Sequence, residues 1–232
     1  MPNQYFAIIV AGGSGKRMHS SIPKQFLLLN GKPILMHTIE KFHKSSYHPE
    51  IVLVLSESDI ELWHELTKKH QFSIPHKIVP GGAERFFSVK NGLAILDDLA
   101  SQEESAIVAI HDAVRPLVSI STIDRSYETA KKHGNAVTAV ASRDSVRLQN
   151  QNGNQSVSRE NVYLIQTPQT FNYKQLKQAY LNKYNTNFTD DASVVEASGY
   201  SIFIEEGDQF NIKITFPEDI IFAESFLKLN EK

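Results

Sequence analysis

Phe6-Ala7-Ile8-Ile9-Val10-Ala11-Gly12-Gly13-Ser14-Gly15-Lys16-Arg17-Met18 opens the chain and decides how it folds. Phe6 to Val10 is an unbroken apolar run, the composition of a parallel strand buried on both faces. It runs into a glycine-rich turn whose missing side chains let backbone N–H groups approach a ligand closely. Lys16 and Arg17 follow, and Lys24 stands beyond a polar loop interrupted by Pro23. A backbone cradle with cations in reach suits a polyphosphate, although a plain glycine turn with solvated cations uses the same residues. Two familiar glycine motifs are excluded. A Walker A loop requires G-x-x-x-x-G-K-[ST], and here Lys16 is followed by Arg17 at a different glycine spacing. The dinucleotide fingerprint G-x-G-x-x-G has Met18 where its third glycine belongs.

Outward from this stretch, apolar runs alternate with stretches of helical period. Ile51–Leu55, Ile78–Val79, Ala106–Ile110 and Ala136–Val140 read as further buried strands. Pro33 opens a helix with Leu35, Ile39 and Phe42 on one face, Ser58–Lys69 forms a covering helix, and Phe86, Val89, Leu93 and Leu96 stripe another. The alternation predicts an α/β fold, a Rossmann-like, doubly wound, mostly parallel sheet with ligands beyond the carboxyl ends of its strands. The rhythm breaks at about 142–161, where Asn150–Asn154 reads as a turn between two short strands of a protruding β-arm. A loose surface loop fits the same residues. The tail is expected to add a strand from Ile202, another over Asn211–Thr215, and a last helix from about Phe216 to Leu229, opened by a Thr215/Glu218 capping box. All 232 residues read as one domain carrying that arm.

Composition removes several function classes. A net charge of −2 offers no electrostatic ground for nucleic acid or an acidic membrane surface as partner. With no cysteine, thiol catalysis, cysteine-bound metal and disulfides are all excluded. No apolar run approaches membrane-spanning length, and no basic, apolar leader precedes the first strand, so the cytoplasm is the expected compartment.

Four further elements carry chemistry. Gly81-Gly82-Ala83-Glu84-Arg85 precedes a helix whose Ser88 adds a neutral hydroxyl. Asp112 closes a buried strand, where a carboxylate suits Mg²⁺ or simply pairs with Arg115. Neighbouring His111 reads as a packing residue or as a support behind the site's own side chains, since the nine histidines show no metal-binding spacing. Thr189 or Asp190 caps a helix. Lys213 alternates with Ile212 and Ile214, so it faces away from them.

A-G-G-x-G-x-R-M followed by P-K-Q-F resembles the opening of the nucleotidyltransferases that make nucleotide-diphospho sugars and polyols. Within these, G-G-x-x-R-x-x-S-V, H-D-A-x-R-P, T-P-Q-x-F, Thr189-Asp190-Asp191-Ala192-Ser193 against the family's T-D-E-A-S, and N-I-K-[VI]-T are similar, in order, to the 2-C-methyl-D-erythritol 4-phosphate cytidylyltransferases. The likeness runs from Phe6 to about Phe226. It implies CMP transfer from CTP to methylerythritol phosphate with release of pyrophosphate, Mg²⁺ as cofactor, and a homodimer interlocked through the β-arm. It implies that Ala11, Gly12, Gly13, Ser14, Gly15, Lys16, Gly82 and Ser88 bind CTP, and that Asp112 binds the metal. It assigns transition-state stabilisation to Arg17 and Lys24, the attacking phosphate to Arg159 and Lys213, and substrate contacts to Arg115, Ser145, Thr189 and Asp190. Ser145 stands where the family has threonine. Gln166–Phe171 carries no chemical step and reads as a rigid turn. A cytidylyltransferase for ribitol 5-phosphate is the alternative, against which Thr189 and Asp190 argue. A catalytically silent, nucleotide-binding regulatory subunit is the reading from another class, and the intact set of cations argues against it.

Overall fold

The computed structural model describes residues 4–13, 18, 22–100 and 105–230. In chain order, β1 (Tyr5–Ala11) leads through a 3-10 turn (Lys24–Phe26) and a small hairpin, β2 (Leu28–Leu29) and β3 (Lys32–Pro33), into α1 (Ile34–His43). There follow β4 (Glu50–Leu55), α2 (Ile60–Lys69), β5 (Lys77–Pro80), α3 (Arg85–Leu99), β6 (Ile107–Asp112), α4 (Ile120–His133) and β7 (Asn135–Ala141). The arm is β8 (Val146–Asn150) and β9 (Gly153–Val157). The chain returns through β10 (Tyr163–Asn172), α5 (Tyr173–Ala179), α6 (Asp191–Glu196), β11 (Ile204–Glu206) and α7 (Pro217–Asn230).

The main sheet has the order β11-β7-β10-β6-β1-β4-β5. β10 runs antiparallel to both its neighbours, and the remaining pairs are parallel. The chain winds outward from β1 to β5, then α3 carries it back across the sheet to β6 on the other side of β1. The strand order therefore switches at β1 and β6, and a crevice opens at their carboxyl ends, Ala11 and Asp112. Among the described residues, no helix is long and apolar enough to cross a membrane.

The apolar strand runs are consistent because both sheet faces are covered. On one face, Phe6, Ile8, Val52 and Val108 pack under α3, α5 and α6. On the other, Ala7, Ile9, Leu53 and Ala109 pack under α1, α2 and α4. A third cluster joins Leu29, Ile34, Val114, Leu117, Ile214 and Ala223, tying the hairpin, the loop after β6 and α7 together.

The tail differs from expectation in two ways. Residues 211–215 form no ladder strand. The segment is extended, held by the Ile214 N–H on Val114 O at 2.9 Å and by Ile212 and Ile214 in the third cluster. Alternation there reflects packing against a cluster rather than strand pairing. α7 is capped by Asp219, not Glu218. Its Oδ2 accepts the N–H groups of Thr215 at 2.7 Å and Phe216 at 2.8 Å, while the Thr215 hydroxyl donates to Lys213 O. Likewise, Gln166–Phe171 is no turn but the buried centre of β10, with a cis Thr167–Pro168 peptide and a register shift between Ile165 and Gln169.

α3 lies tightly against the sheet at Gly92, where an added Cβ would lie 2.9 Å from Ile8 Cγ2 and 3.2 Å from Val54 Cγ2. Overpacking there costs about 1–3 kcal/mol, against at most about 1 kcal/mol gained in helix propensity. Gly92→Ala is therefore expected to lower the melting temperature by a few degrees, at about 2–4 °C per kcal/mol for a chain of this size. An unchanged or raised midpoint in a thermal melt would show that the helix relaxes freely.

Candidate functional site

The crevice contains a cleft of about 350 Å³ between the end of β1 and the start of α3. Ala11, Gly12 and Gly13 form one wall, Gly82 and Ser88 another, with Lys24, Asp112 and Lys213 lining the same space. The walls are fixed by short-range chemistry. The buried Gln25 amide donates to Ala11 O at 2.8 Å and to Asp59 Oδ2 at 3.2 Å, binding the glycine turn to the 3-10 turn that carries Lys24. Lys24, itself buried, donates to Ile214 O at 3.2 Å. The Ser88 hydroxyl accepts the Gly82 N–H at 3.1 Å, so it shapes the loop as well as facing the cleft. A Cβ on Gly82 would stand 2.3 Å from Phe87 Cβ, so no other residue allows this turn.

Asp112 lies at the cleft floor. Lys213 Nζ stands 2.9 Å and Arg115 Nε 3.4 Å from its Oδ2, and Arg85 Nε 3.7 Å from its Oδ1. Burial alone would raise the pKa of this carboxyl, but Arg85, Lys213 and Arg115 hold it well below the usual carboxylate range. The expected Asp112–Arg115 pair thus exists, as part of a larger cluster. Next to it, His111 is fully buried. Asp112 N–H donates to Thr167 Oγ1 at 3.1 Å, and that hydroxyl lies 3.0 Å from His111 Nδ1. His111 Nε2 lies 3.2 Å from Arg115 O. These partners assign a neutral imidazole with its proton on Nε2. Burial pushes its pKa down to about 3. His111 packs in the interior and, through Thr167, also supports the Asp112 backbone, so both readings of its sequence context apply.

A second cleft of about 250 Å³ meets the first, sharing Arg85, Asp112 and Lys213, and is lined further by Arg115, Thr189, Asp190 and Gln169. Asp190, not Thr189, caps α6, in a capping box with Ser193. Sequence reading missed what holds this side. Arg85 donates to both oxygens of Asp191, at 2.8 and 2.6 Å, across 106 residues of chain, and Tyr180 donates to Asp191 Oδ1 at 2.6 Å. Burial opposes the Arg85 charge, yet Asp191 and then Asp112 raise its pKa above the ordinary value. Arg85 stood in the glycine string, but nothing in the sequence indicated its distant partner.

The predicted residues thus divide. Ala11, Gly12, Gly13, Lys24, Gly82, Ser88, Asp112 and Lys213 meet in the first cleft, and Arg115, Thr189 and Asp190 in the second. Ser145 and Arg159 sit on the arm and line neither; Arg159 is exposed and donates to Arg143 O at 2.9 Å. Ser14, Gly15, Lys16 and Arg17 lie outside the described residues.

Known proteins share this chain's sequence and fold over nearly its whole length. A family model described as 2-C-methyl-D-erythritol 4-phosphate cytidylyltransferase matches residues 5–229. The enzyme of that name from Bacteroides thetaiotaomicron is 44% identical over 220 residues, covering 95% of this chain and 98% of the relative. The one from Clostridium botulinum (strain Loch Maree) is 42% identical, covering 95% and 96%. Among solved structures, the Francisella tularensis enzyme superposes with a TM-score of 0.78 at 32% identity, covering 96% and 99%. The 4-diphosphocytidyl-2C-methyl-D-erythritol synthase of Anaerococcus prevotii gives 0.80 at 28% identity, covering 97% and 96%.

The buried neutral imidazole sets an acid limit on stability. An ordinary histidine takes up its proton near pH 6.5, whereas His111 resists until about pH 3. The unfolded chain therefore binds the extra proton first, so this contribution is intact above pH 6.5 and is lost as the pH falls towards 3. Asp112, depressed below its ordinary 3.8, adds its own loss only below that point. Urea titrations at a series of pH values should show wild type losing stability between pH 6.5 and about 4, and His111→Gln starting lower but falling less steeply. Parallel curves would mean that another group is responsible.

Proposed function

The chain belongs to the 2-C-methyl-D-erythritol 4-phosphate cytidylyltransferase family and is a nucleotidyltransferase; we propose how its residues divide the work. It transfers the cytidylyl group of CTP to 2-C-methyl-D-erythritol 4-phosphate, a step of non-mevalonate isoprenoid precursor synthesis. An oxygen of the substrate phosphate attacks the α-phosphorus of CTP in line. The new P–O bond forms as the bond to pyrophosphate breaks, and the pair of electrons leaves with pyrophosphate. The attacking monoester is already anionic at neutral pH, so no general base is required. Neutral, buried His111 does not supply one.

The observation that carries this reading is the junction of two clefts at Asp112, where Arg85, Arg115 and Lys213 converge. Bringing two phosphorylated substrates together meets mutual repulsion, and fixed cations in a half-buried site offset it. We place CTP in the first cleft, its base against Gly82 and Ser88 and its phosphates towards Ala11, Gly12 and Gly13, and assign further CTP contacts to Ser14, Gly15 and Lys16. Lys24 and Arg17 stabilise the charge that builds on the α-phosphate. The polyol phosphate occupies the second cleft, its phosphate on Arg115 and Lys213 and its hydroxyls on Thr189 and Asp190. Asp112, an ionised hard oxygen donor, fits Mg²⁺, an ion that takes one or two protein oxygens and completes its shell from phosphates and water. When bound, Mg²⁺ neutralises phosphate charge.

The chain acts as one domain of residues 1–232 with an arm at about 142–161, and the arm joins two copies. Both arm strands are exposed almost throughout, and Leu148, Tyr163 and Leu164 at and beside it are about half exposed, at 54%, 48% and 53%. A two-stranded ribbon with apolar residues in water wants a partner. Arg159 and Ser145 ride on this arm and reach a phosphate site through that assembly. The cytoplasm, where CTP is held, is the compartment we propose.

Pyrophosphate release with CTP and Mg²⁺ is expected with methylerythritol phosphate and not with ribitol 5-phosphate or glycerol 3-phosphate. Turnover of ribitol phosphate instead would overturn the acceptor assignment while leaving the CTP site standing. Lys24→Ala should lose on the order of a hundredfold or more in kcat. Near-normal turnover in that variant would remove Lys24 from the transition state.

A further inference from the structure

We infer that Gln169 is a positioning residue for the polyol acceptor, holding the carboxylate of Asp190 in one orientation at the second cleft. The inference rests on the reading of Asp190 as a ligand of acceptor hydroxyls. Gln169 lies on β10, almost wholly buried, in the stretch to which no chemical step had been given. Its Nε2 donates to Asp190 Oδ2 at 2.9 Å and, more weakly, to Gln166 O at 3.4 Å. Its Oε1 accepts the Ala192 N–H at 2.8 Å. A backbone N–H only donates and an ionised carboxylate only accepts, so these partners fix which end of the amide faces which.

The other oxygen of Asp190, Oδ1, accepts the Ser193 N–H at 2.9 Å. Each carboxylate oxygen therefore has one protein donor, which defines the plane of the group, and each keeps acceptor capacity for a hydroxyl. The capping box of α6 is closed between Asp190 and Ser193, whose hydroxyl accepts the Asp190 N–H at 3.3 Å, so the Gln169 donor is not needed to form it. Gln169 therefore does two things: its Oε1 takes the first-turn N–H of Ala192, and its Nε2 donor orients the Asp190 carboxylate. Thr167, two residues earlier on the same strand, holds the Asp112 backbone N–H at 3.1 Å. One strand segment thus fixes the spacing between the carboxylate at the reacting phosphates and the carboxylate at the polyol. That is the work of the T-P-Q motif.

Gln169→Glu keeps the shape and replaces the donor with an acceptor facing Asp190. At about pH 8 the KM for methylerythritol phosphate should rise about tenfold or more, with the KM for CTP within about twofold of wild type. Towards about pH 6 the loss should shrink, because two adjacent carboxyls share a proton and a donor returns. Arg85, Arg115, Lys213, Asp112 and Asp191 surround the site, so the comparison is the ratio of variant to wild type at each pH, which cancels their titration. Gln169→Met, lacking the donor to Asp190 and also the acceptor for the Ala192 N–H, should show an acceptor-selective loss at least as large and without recovery in acid. Asp190→Asn is the control for the underlying reading. If it leaves the acceptor KM unmoved, the assignment of Asp190 falls and this inference with it. If Asp190→Asn raises that KM but Gln169→Glu does not, the inference alone is overturned. A loss in Gln169→Glu that is equal for CTP and acceptor, or independent of pH, also overturns it, by showing a general structural role.

Discussion

The arrangement depends on the charge at Asp112. Three cations approach one carboxylate at the junction of two clefts, and a second carboxylate, Asp191, lies behind Arg85. A buried charge without a partner is strongly unfavourable, so each of these groups holds the others in place. Asp112 is at the end of β6, Arg85 at the start of α3, Arg115 in the loop after β6, and Lys213 on the extended tail. Three parts of the chain, distant in sequence, are thus brought to one point. Because cations outnumber carboxylates here, the junction keeps an attraction for further negative charge, which the reaction supplies as phosphate.

The tail that carries Lys213 shows how packing sets this electrostatics. Ile214 is buried in the third cluster and bonded through its backbone to Val114, while its carbonyl accepts from Lys24. The Asn211 carbonyl accepts from Arg115 at 2.8 Å, and the Asn211 amide donates to Thr167 O at 2.8 Å. Lys213 is therefore placed by its apolar and amide neighbours on either side, with its own side chain left to meet Asp112.

Much of this was legible in the sequence, for physical reasons. β1, β4, β6 and β7 are buried on both faces, so their apolar runs needed no context. The glycine turn and Asp112 could be singled out because chain direction places strand ends on one side of a parallel sheet, whereas Lys24 and Lys213 stood out through their family motifs. β10 was illegible as a strand because its buried centre is polar: Thr167, Gln169 and Thr170 are satisfied by hydrogen bonds to His111, Asp190 and Ser126. α4 was passed over although Ser119 at its N-cap and Gly134, left-handed at φ +88°, mark both ends. The Arg85–Asp191 pair has no local signature, since neither residue type nor spacing links positions so far apart.

α6 is six residues long, too short to be stable by itself. It stands where it does because Arg85 and Tyr180 grip Asp191 and Gln169 holds Asp190 and Ala192. The helix behaves as an insert clamped from behind, with its cleft-facing residues carrying none of the clamping except at Asp190. Over evolutionary time such an insert can change what it reads while its mounting stays constant. The acceptor side is therefore a separable piece of this architecture, whereas the nucleotide side is continuous with the first strand and the start of α3.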